Sequence, residues 1–108
     1  MRGGCDDLRD DEAISLYRIV QEGLTNASKH SAATEVAVDL ERGATGRTRL
    51  TIVDNGQGFD AAVKRPGLGL LGMRERSEAL GGTFAVEASL NAGVRLTVEL
   101  PPRTQGAP

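Results

Sequence analysis

The hydrophobic pattern of this chain alternates between the period of a helix and the period of a strand, in an order that few folds accept. Residues 11–29 contain no proline, and their apolar side chains recur every three or four positions, which predicts an amphipathic helix. Its predicted buried stripe consists of Ile14, Tyr17, Val20, Leu24 and Ala27. Two alternating runs follow at 36–40 and 50–53, and the glycine-containing segment between them predicts an antiparallel hairpin.

The second half of the chain has the same order of periods. Residues 54–67 show neither period and are rich in glycine and polar residues, which predicts a loop longer than most connections. Residues 68–80 return to helical spacing before the glycine pair 81–82, and a second hairpin follows at 84–86 and 94–100. The predicted fold class is therefore α+β, a two-layer sandwich in which helices cover one face of a mixed, mostly antiparallel sheet.

Length and composition restrict the domain organisation. With 108 residues, of which 39% are hydrophobic, the chain has room for one domain with its own core. We predict a flexible segment at 1–10, a folded domain at 11–102 and a flexible tail at 103–108. The first residues are polar, and no run approaches the roughly 18 to 20 apolar residues of a membrane span. We therefore expect a cytoplasmic domain, or the cytoplasmic portion of a membrane-bound protein.

Composition also argues against several function classes. Aromatic residues make up 3% of the chain and tryptophan is absent, which disfavours a base-stacking platform for nucleic acid. The net charge of −2 has the wrong sign for neutralising a phosphate backbone, so we expect no nucleic-acid partner. The single cysteine, Cys5, cannot form an internal disulfide or a cysteine-based metal site.

A first polar cluster lies on the predicted opening helix. At about 100° per residue, Glu22, Asn26, Lys29 and His30 fall within one sector of roughly 100°, away from the predicted apolar stripe. Carboxylate and amide oxygens can hold a hydrated Mg²⁺, and the two cationic groups can meet phosphate. An ordinary solvated helix face is the alternative that spacing leaves open.

A second cluster spans residues 54–59, directly after an apolar strand. Asp54 at the strand end, with Gly56 and Gly58 behind it, places a carboxylate beside backbone that a flat ligand can approach closely. Asp54 would then accept a hydrogen bond from an exocyclic amine. A plain Asp-Asn-Gly turn is the alternative reading of the same residues.

A third cluster is the glycine-rich run 67–73 at the start of the second predicted helix. Backbone amides at a helix N-terminus, left uncovered by glycine, form an anion site that suits a polyphosphate. Gly67, Gly69 and Gly72 have the spacing of a dinucleotide fingerprint, but the run does not follow a strand of a βαβ unit. The run is not a P-loop either, because no Gly-Lys-Ser or Gly-Lys-Thr follows it. A flexible loop with a helix cap remains the alternative.

In this order and with these separations, the three clusters resemble the N, G1 and G2 boxes of the GHKL ATPase superfamily. The similarity lies in residues 17–30, 54–59, 67–76 and 93–101, and it covers residues 12–101. The chain most resembles the catalytic and ATP-binding (HATPase_c) domain of bacterial two-component sensor histidine kinases of the nitrate-sensor type. This resemblance implies the Bergerat ATP-binding fold, ATP and Mg²⁺ as cofactors, and protein histidine kinase activity.

The resemblance also implies roles for individual residues. Asn26 would bind Mg²⁺, and Glu22 would position the metal's water or act as a base, so that Glu22, Asn26 and Lys29 form the catalytic set. Lys29 and His30 would lie near the phosphates, and Asp54 would read the adenine amino group. The other implied nucleotide-binding positions are Gly56, Gly58, Gly67, Gly69, Leu70, Gly72, Met73 and Thr97. The hydroxyl of the last of these would support adenine recognition.

Departures from the family's pattern shape the predicted partners. The family holds its phosphoacceptor histidine on a separate helical dimerisation domain, whereas the only histidine here, His30, lies inside the N-box match. Residues 1–10 contain no convincing first strand, and Gly93-Val94 stands where a Gly-Thr pair is frequent. The predicted partners are therefore the helical phosphoacceptor domain of the parent kinase and a downstream response regulator, with no direct membrane contact by this domain. The alternative function is an anti-sigma-factor-type serine kinase or binding module of the same ATP fold.

Overall fold

The computed structural model of the chain describes residues 10–30, 32–43, 46–58 and 69–102. Its elements, in chain order, are α1 (Asp10–Lys29), β1 (Val36–Arg42), β2 (Thr48–Asp54), α2 (Leu70–Ala79), β3 (Thr83–Ala88) and β4 (Val94–Leu100). These four strands form one antiparallel sheet, and both helices pack on the same face of it. The predicted α+β class with helices on one face is confirmed. Gly67 and most of the predicted long loop lie outside the described residues, as do residues 1–9 and 103–108 of the two predicted flexible ends; Asp10 is the first residue of α1.

The strand order of the sheet is β1-β2-β4-β3. The two predicted hairpins are confirmed, since β1 pairs with β2 and β3 pairs with β4. They join through β2 and β4, whose register sets Asp54 opposite Val94 and Thr48 opposite Leu100. Hydrophobic alternation identifies strands without saying which of them pair, so this central pairing did not follow from the pattern. It places the end of β2 beside the start of β4.

The hydrophobic core lies between the helices and one face of the sheet. Leu50 and Ile52 of β2 and Val98 of β4 are at most 3% exposed, because alternate residues of a strand point to the same face. Ile19 of α1 and Met73 of α2 complete the contact from the other side. Each such side chain contributes roughly 1.5–3 kcal/mol of burial energy. The core therefore fixes both helices relative to the strand ends.

The face of α1 that packs on the sheet differs from the predicted one. Ile14, Tyr17 and Leu24 are 56%, 63% and 43% exposed, so the prediction that they form the buried stripe is wrong. The buried residues of α1 are Glu12, Leu16, Ile19, Gly23 and Ala27. Both sets have helical spacing, and periodicity alone could not choose between them. A Cβ on Gly23 would lie 2.9 Å from Ile52 Cδ1, so the face with the smallest side chain is the one that approaches the sheet.

Helix α2 is flanked by glycines. Gly69 is its N-cap, with a φ of 70°, and after the last turn the backbone N–H of Gly81 donates a hydrogen bond to Glu78 O at 2.9 Å. The predicted stop at the glycine pair is confirmed. The guanidinium of Arg74 lies 5.5 Å from the centre of the Phe84 ring, a cation–π contact that joins α2 to β3.

The opposite face of the sheet is polar. Arg49 Nε and Nη2 donate hydrogen bonds to the same carboxylate oxygen of Glu99, at 2.9 and 2.7 Å. The hydrogen bond and the charge of Glu99 raise the pKa of Arg49. Since both side chains are partly solvated, the pair adds little stability. None of the described helices is both long enough and apolar enough to span a bilayer.

Two isoleucine substitutions test the assignment of the buried face of α1, because they remove the same atoms from opposite sides of one helix. Ile19 is fully buried, so Ile19→Ala should lower the free energy of unfolding by about 2–5 kcal/mol. Ile14→Ala, on the exposed face, should change it by less than about 0.5 kcal/mol. Urea denaturation followed by circular dichroism measures both values. Equal losses at the two positions would contradict this packing.

Candidate functional site

The first polar cluster occupies the C-terminal half of α1, beside its buried face. Glu22 and Lys29 are exposed, whereas Asn26 and His30 are half-buried. The side-chain oxygen of Asn26 lies below the surface, and the backbone N–H of His30 donates a hydrogen bond to Asn26 O at 2.9 Å. The four predicted residues therefore follow one side of the last turns of α1.

The second cluster begins where β2 ends. Asp54 lies on the same side of its strand as Leu50 and Ile52, and it is 8% exposed. That side faces the helices, so the carboxylate belongs to the layer between α1 and the sheet. Its Oδ1 accepts a hydrogen bond from the backbone N–H of Gly56 at 2.9 Å. This bond turns the chain away from the strand and fixes the direction of the carboxylate.

The loop after β2 is packed tightly against the turn between β3 and β4. Gly58 has a φ of 62°, and a Cβ there would overlap the carbonyl oxygen of Ser89 and lie 2.7 Å from Gly93 O. The backbone N–H of Asn91 also donates a hydrogen bond to Gln57 O at 2.5 Å. Glycine at position 58 is required here both by its backbone conformation and by this approach. The second hairpin therefore braces the loop that follows Asp54.

The chain that leaves α1 is bonded to the same loop. Asn55 Oδ1 accepts hydrogen bonds from the backbone N–H groups of Thr34 and Glu35, each at 2.9 Å. Gln57 Nε2 donates a weaker one to His30 O at 3.5 Å. The C-terminal end of α1 is thereby held at the end of β2. Sequence reasoning missed Thr34 and Asn55 as partners, since residues 21 positions apart show no local signal of their contact.

The third cluster meets the first at Gly69. An ideal Cβ on Gly69 would lie 2.6 Å from Glu22 Oε2 and 2.8 Å from Glu22 Cδ, so the carboxylate of Glu22 rests directly on this glycine. Gly69 has no side chain to cap α2, and the first turn of α2 contains no acidic residue. The uncapped N-terminus of α2 and the polar side of α1 are therefore neighbours.

The structure does not bring Thr97 to this site. Leu96 and Val98 point into the core, so Thr97 between them faces the open side of the sheet, where it pairs with Thr51. Asp54 faces the helices on the opposite side. Thr97 and Asp54 therefore lie on opposite faces of the sheet, and a role of Thr97 in adenine recognition stays a prediction. A motif match locates a residue along a strand, but a difference of one position reverses the face on which its side chain lies.

Two other predicted nucleotide contacts belong to the packing of α2. The side chain of Met73 is 1% exposed within the hydrophobic core, and its backbone N–H donates a hydrogen bond to Gly69 O at 3.0 Å. A role of Met73 in nucleotide binding stays a prediction. Leu70 is half-buried and packs against the same core. Gly56, in the loop after β2, and Gly72, in the first turn of α2, are half-buried.

The donor set of this site fits a nucleotide with a magnesium ion. Glu22 and Asn26 supply a carboxylate and an amide oxygen from successive turns of α1, and Mg²⁺ prefers such oxygen ligands. In the described part of the chain, no group of three or more His, Cys, Asp or Glu side chains could hold a metal ion. A magnesium ion here would therefore take its other ligands from phosphate oxygens and water, as it commonly does in nucleotide sites.

Two glycines of α2 test the contact between the first and third clusters. Gly69→Ala should lower the free energy of unfolding by about 1 kcal/mol or more, because alanine is strained at a φ of 70° and its Cβ would displace Glu22. Gly72→Ala should leave stability unchanged or raise it by up to about 1 kcal/mol, because none of the described residues lies within 4 Å of a Cβ there. Chemical denaturation measures both. A smaller loss for Gly69→Ala than for Gly72→Ala would contradict the described geometry.

Comparison with known proteins agrees with this geometry. Residues 11–104 match the family described as histidine kinase-, DNA gyrase B-, and HSP90-like ATPase, HATPase_c. Sensor histidine kinase YhcY of Bacillus subtilis is 39% identical over 100 residues, which are 91% of this chain and 26% of that protein. This chain therefore spans about a quarter of the length of that curated relative.

Solved structures have the same fold. The ATP binding domain of PrrB from Mycobacterium tuberculosis superposes with a TM-score of 0.68 at 31% identity, over 83% of this chain and 68% of that one. The blue-light activated histidine kinase of Erythrobacter litoralis has a TM-score of 0.75 over 94% of this chain and 34% of that one, and at 23% identity it supports the fold alone. Because the family match covers nearly all of the folded chain, this chain belongs to the HATPase_c family, as an ATPase domain of the sensor histidine kinase type.

Proposed function

We propose that this domain binds Mg²⁺-ATP and donates the γ-phosphate to a histidine on a separate helical dimerisation domain, in two-component signal transduction. The observation that best supports the proposal is the convergence of the three clusters. Glu22 lies against Gly69, and the segment after α1 is bonded to the loop after Asp54. Three unrelated polar patches would have no reason to meet in this way. Membership of the HATPase_c family favours ATP as the nucleotide.

The proposed adenine end of the site is Asp54. Its carboxylate is nearly buried and is oriented by the backbone N–H of Gly56. An ionised carboxylate only accepts hydrogen bonds, so it would pair with the exocyclic amine of adenine. The corresponding group of guanine is a carbonyl, which would place two acceptors against each other. Asp54 would therefore select ATP over GTP in two ways, by accepting a hydrogen bond from adenine and by repelling the carbonyl of guanine.

The proposed phosphate end lies between α1 and α2. Asn26 and Glu22 would hold Mg²⁺, and Lys29 and His30 would meet the phosphates from the last turn of α1. The N-terminus of α2 has no side-chain cap, and its backbone dipoles favour an anion at that place. Bound Mg²⁺ would neutralise charge that develops on the transferred phosphoryl group. The protein would then have to position the nucleotide and balance its negative charge, and these side chains could do both.

The proposed phosphoacceptor lies on another domain. His30, the one histidine of the sequence, immediately follows α1 within the first cluster, where we expect it to bind phosphates rather than to receive one. Because the chain spans about a quarter of its relative YhcY, an acceptor domain and a downstream response regulator are proposed partners. A cytoplasmic location accords with the use of ATP.

Nucleotide binding by two variants tests both ends of the site. Asn26→Ala should reduce the gain in ATP affinity that Mg²⁺ provides by about tenfold or more, because it removes a metal ligand while leaving Asp54 in place. Asp54→Ala should reduce the preference for ATP over GTP by about tenfold or more, because it removes the adenine acceptor. Isothermal titration calorimetry with ATP and GTP, with and without Mg²⁺, measures all four affinities.

Each variant is the control for the other. Asn26→Ala should retain the preference for adenine, and Asp54→Ala should retain the dependence on Mg²⁺, provided that circular dichroism shows both folded. An unmodified domain that binds ATP and GTP equally would contradict the role of Asp54. Mg²⁺ dependence that survives Asn26→Ala would remove Asn26 from the metal site.

A transfer assay tests the second half of the proposal. The domain is mixed with γ-labelled ATP and a separately purified helical phosphoacceptor domain that carries a single histidine. We expect label on the acceptor that is lost in acid and retained in base, as for phosphohistidine, and none on an acceptor whose histidine is replaced by glutamine. Acid-stable label on a serine of an antagonist protein would instead support the serine-kinase alternative and contradict this proposal.

A further inference from the structure

We propose that Asn55 is a positioning residue, which sets the distance between the adenine end and the phosphate end of the site. The inference rests on the proposed function, because it concerns how one chain presents Asp54 and the last turn of α1 to the same nucleotide. Asn55 directly follows Asp54, and its side chain binds the segment that connects α1 to β1. It is therefore a side chain that joins the two halves of the site.

Four hydrogen bonds connect Asn55 to that segment. Its Oδ1 accepts from the backbone N–H groups of Thr34 and Glu35, each at 2.9 Å. Its Nδ2 donates to Thr34 Oγ1 at 2.9 Å, and its backbone N–H donates to Glu35 O at 3.2 Å. The side chain thus uses its acceptor and its donor on one pair of adjacent residues.

The chemistry of these partners explains why the residue is an asparagine. The oxygen faces two N–H donors and the amide nitrogen faces a hydroxyl oxygen, so the reverse orientation of the amide would place donors against donors. Aspartate at this position could still accept from both N–H groups and from the Thr34 hydroxyl. Alanine could make none of the three side-chain bonds and would keep only the backbone bond to Glu35 O. The structure therefore predicts a ranking of Asn55 variants that follows acceptor ability.

The connecting segment has few other attachments among the described residues. Before it, the backbone N–H of Ala33 donates to Ala27 O at 2.9 Å, and Ala32 has a φ of 53°, in the left-handed region. After it, β1 begins at Val36, which pairs with Asp54. Asn55 lies between these two points. Loss of its side chain would leave the end of α1 attached there by the hydrophobic core, the weaker Gln57 bond to His30 O and the backbone bond to Glu35 O.

The side chain of Asn55 is directed toward this segment, which separates a positioning role from a direct role in binding. Asp54 remains fixed without Asn55, because β2 holds it from one side and Gly56 from the other. Loss of the Asn55 side chain should therefore disturb the placement of Asn26 and Lys29 relative to Asp54, while the adenine acceptor itself stays in place. Ligands that need only one end of the site should be nearly unaffected.

The experiment compares a ligand that uses one end of the site with a ligand that uses both. Adenosine probes the adenine end alone, and Mg²⁺-ATP probes both ends. For Asn55→Ala we expect the affinity for Mg²⁺-ATP to fall by about tenfold and the affinity for adenosine to change by less than about twofold. Asn55→Asp should recover most of the loss. Gln21→Ala is the matched control, because it removes an exposed amide whose hydrogen bond in the described part of the chain goes to Tyr17 within α1.

Two further variants keep the test decisive. Thr34→Val removes the hydroxyl partner of Asn55 Nδ2 and should give a smaller loss in the same direction, even if Asn55→Ala fails to fold. In the double variant Asn26→Ala with Asn55→Ala, the second change should add little to the loss of Mg²⁺-ATP affinity, because both act through the placement of the same ligand group.

Several outcomes would overturn the inference. A lower unfolding temperature with both affinities unchanged would show a role in stability alone. Equal losses for adenosine and Mg²⁺-ATP would place Asn55 in the adenine site itself. If the unmodified domain binds neither ligand, the proposed function fails and this inference fails with it. If the unmodified domain binds both ligands, and Asn55→Ala binds them with the same affinities as the control Gln21→Ala, the proposed function stands and the positioning role is rejected.

Discussion

The close packing of α1 on β2 is the contact on which the site depends. Gly23 lies against Ile52, so near that a Cβ would reach within 2.9 Å of the isoleucine methyl group. Ile19, with no exposed surface, adds a large apolar contact one turn earlier in the same helix. This packing sets both the height and the rotation of α1 over the sheet. Because Asp54 is two residues beyond Ile52 on the same face, the helix and the carboxylate share one layer.

The chemical groups lie at the ends of elements, where the core no longer determines their positions. Each of those ends is instead held by a close contact of a glycine or by hydrogen bonds between a polar side chain and the backbone. Gly58 fits against Ser89, Gly69 fits against Glu22, and Asn55 binds the segment after α1. The hydrophobic core thus fixes the helices and strands, while glycine and amide contacts fix the positions of the chain ends that form the candidate site.

The sequence predicted the elements better than their contacts. Both helices, both hairpins and the α+β class follow from periodicity, because each depends on residues close together in the chain. The rotation of α1 did not follow, since two sets of apolar residues have helical spacing and only the sheet chooses the one that contains Gly23. The face on which Thr97 lies did not follow either, because a motif gives position along a strand and the pairing of β2 with β4 gives the face. The contact of Asn55 with Thr34 depends wholly on tertiary structure.

The observed rotation of α1 favours a site at its polar cluster more than the predicted rotation would. Had Ile14 and Tyr17 been buried, the helix would be turned so that Asn26 faced away from the sheet. With Gly23 and Ala27 buried instead, Asn26 lies at the border of the packed face and is half-buried. A half-buried amide is partly shielded from water, and hydrogen bonds are stronger there than on an open surface. The same rotation that exposes the apolar side chains therefore brings Asn26, the proposed metal ligand, to the edge of the packed face.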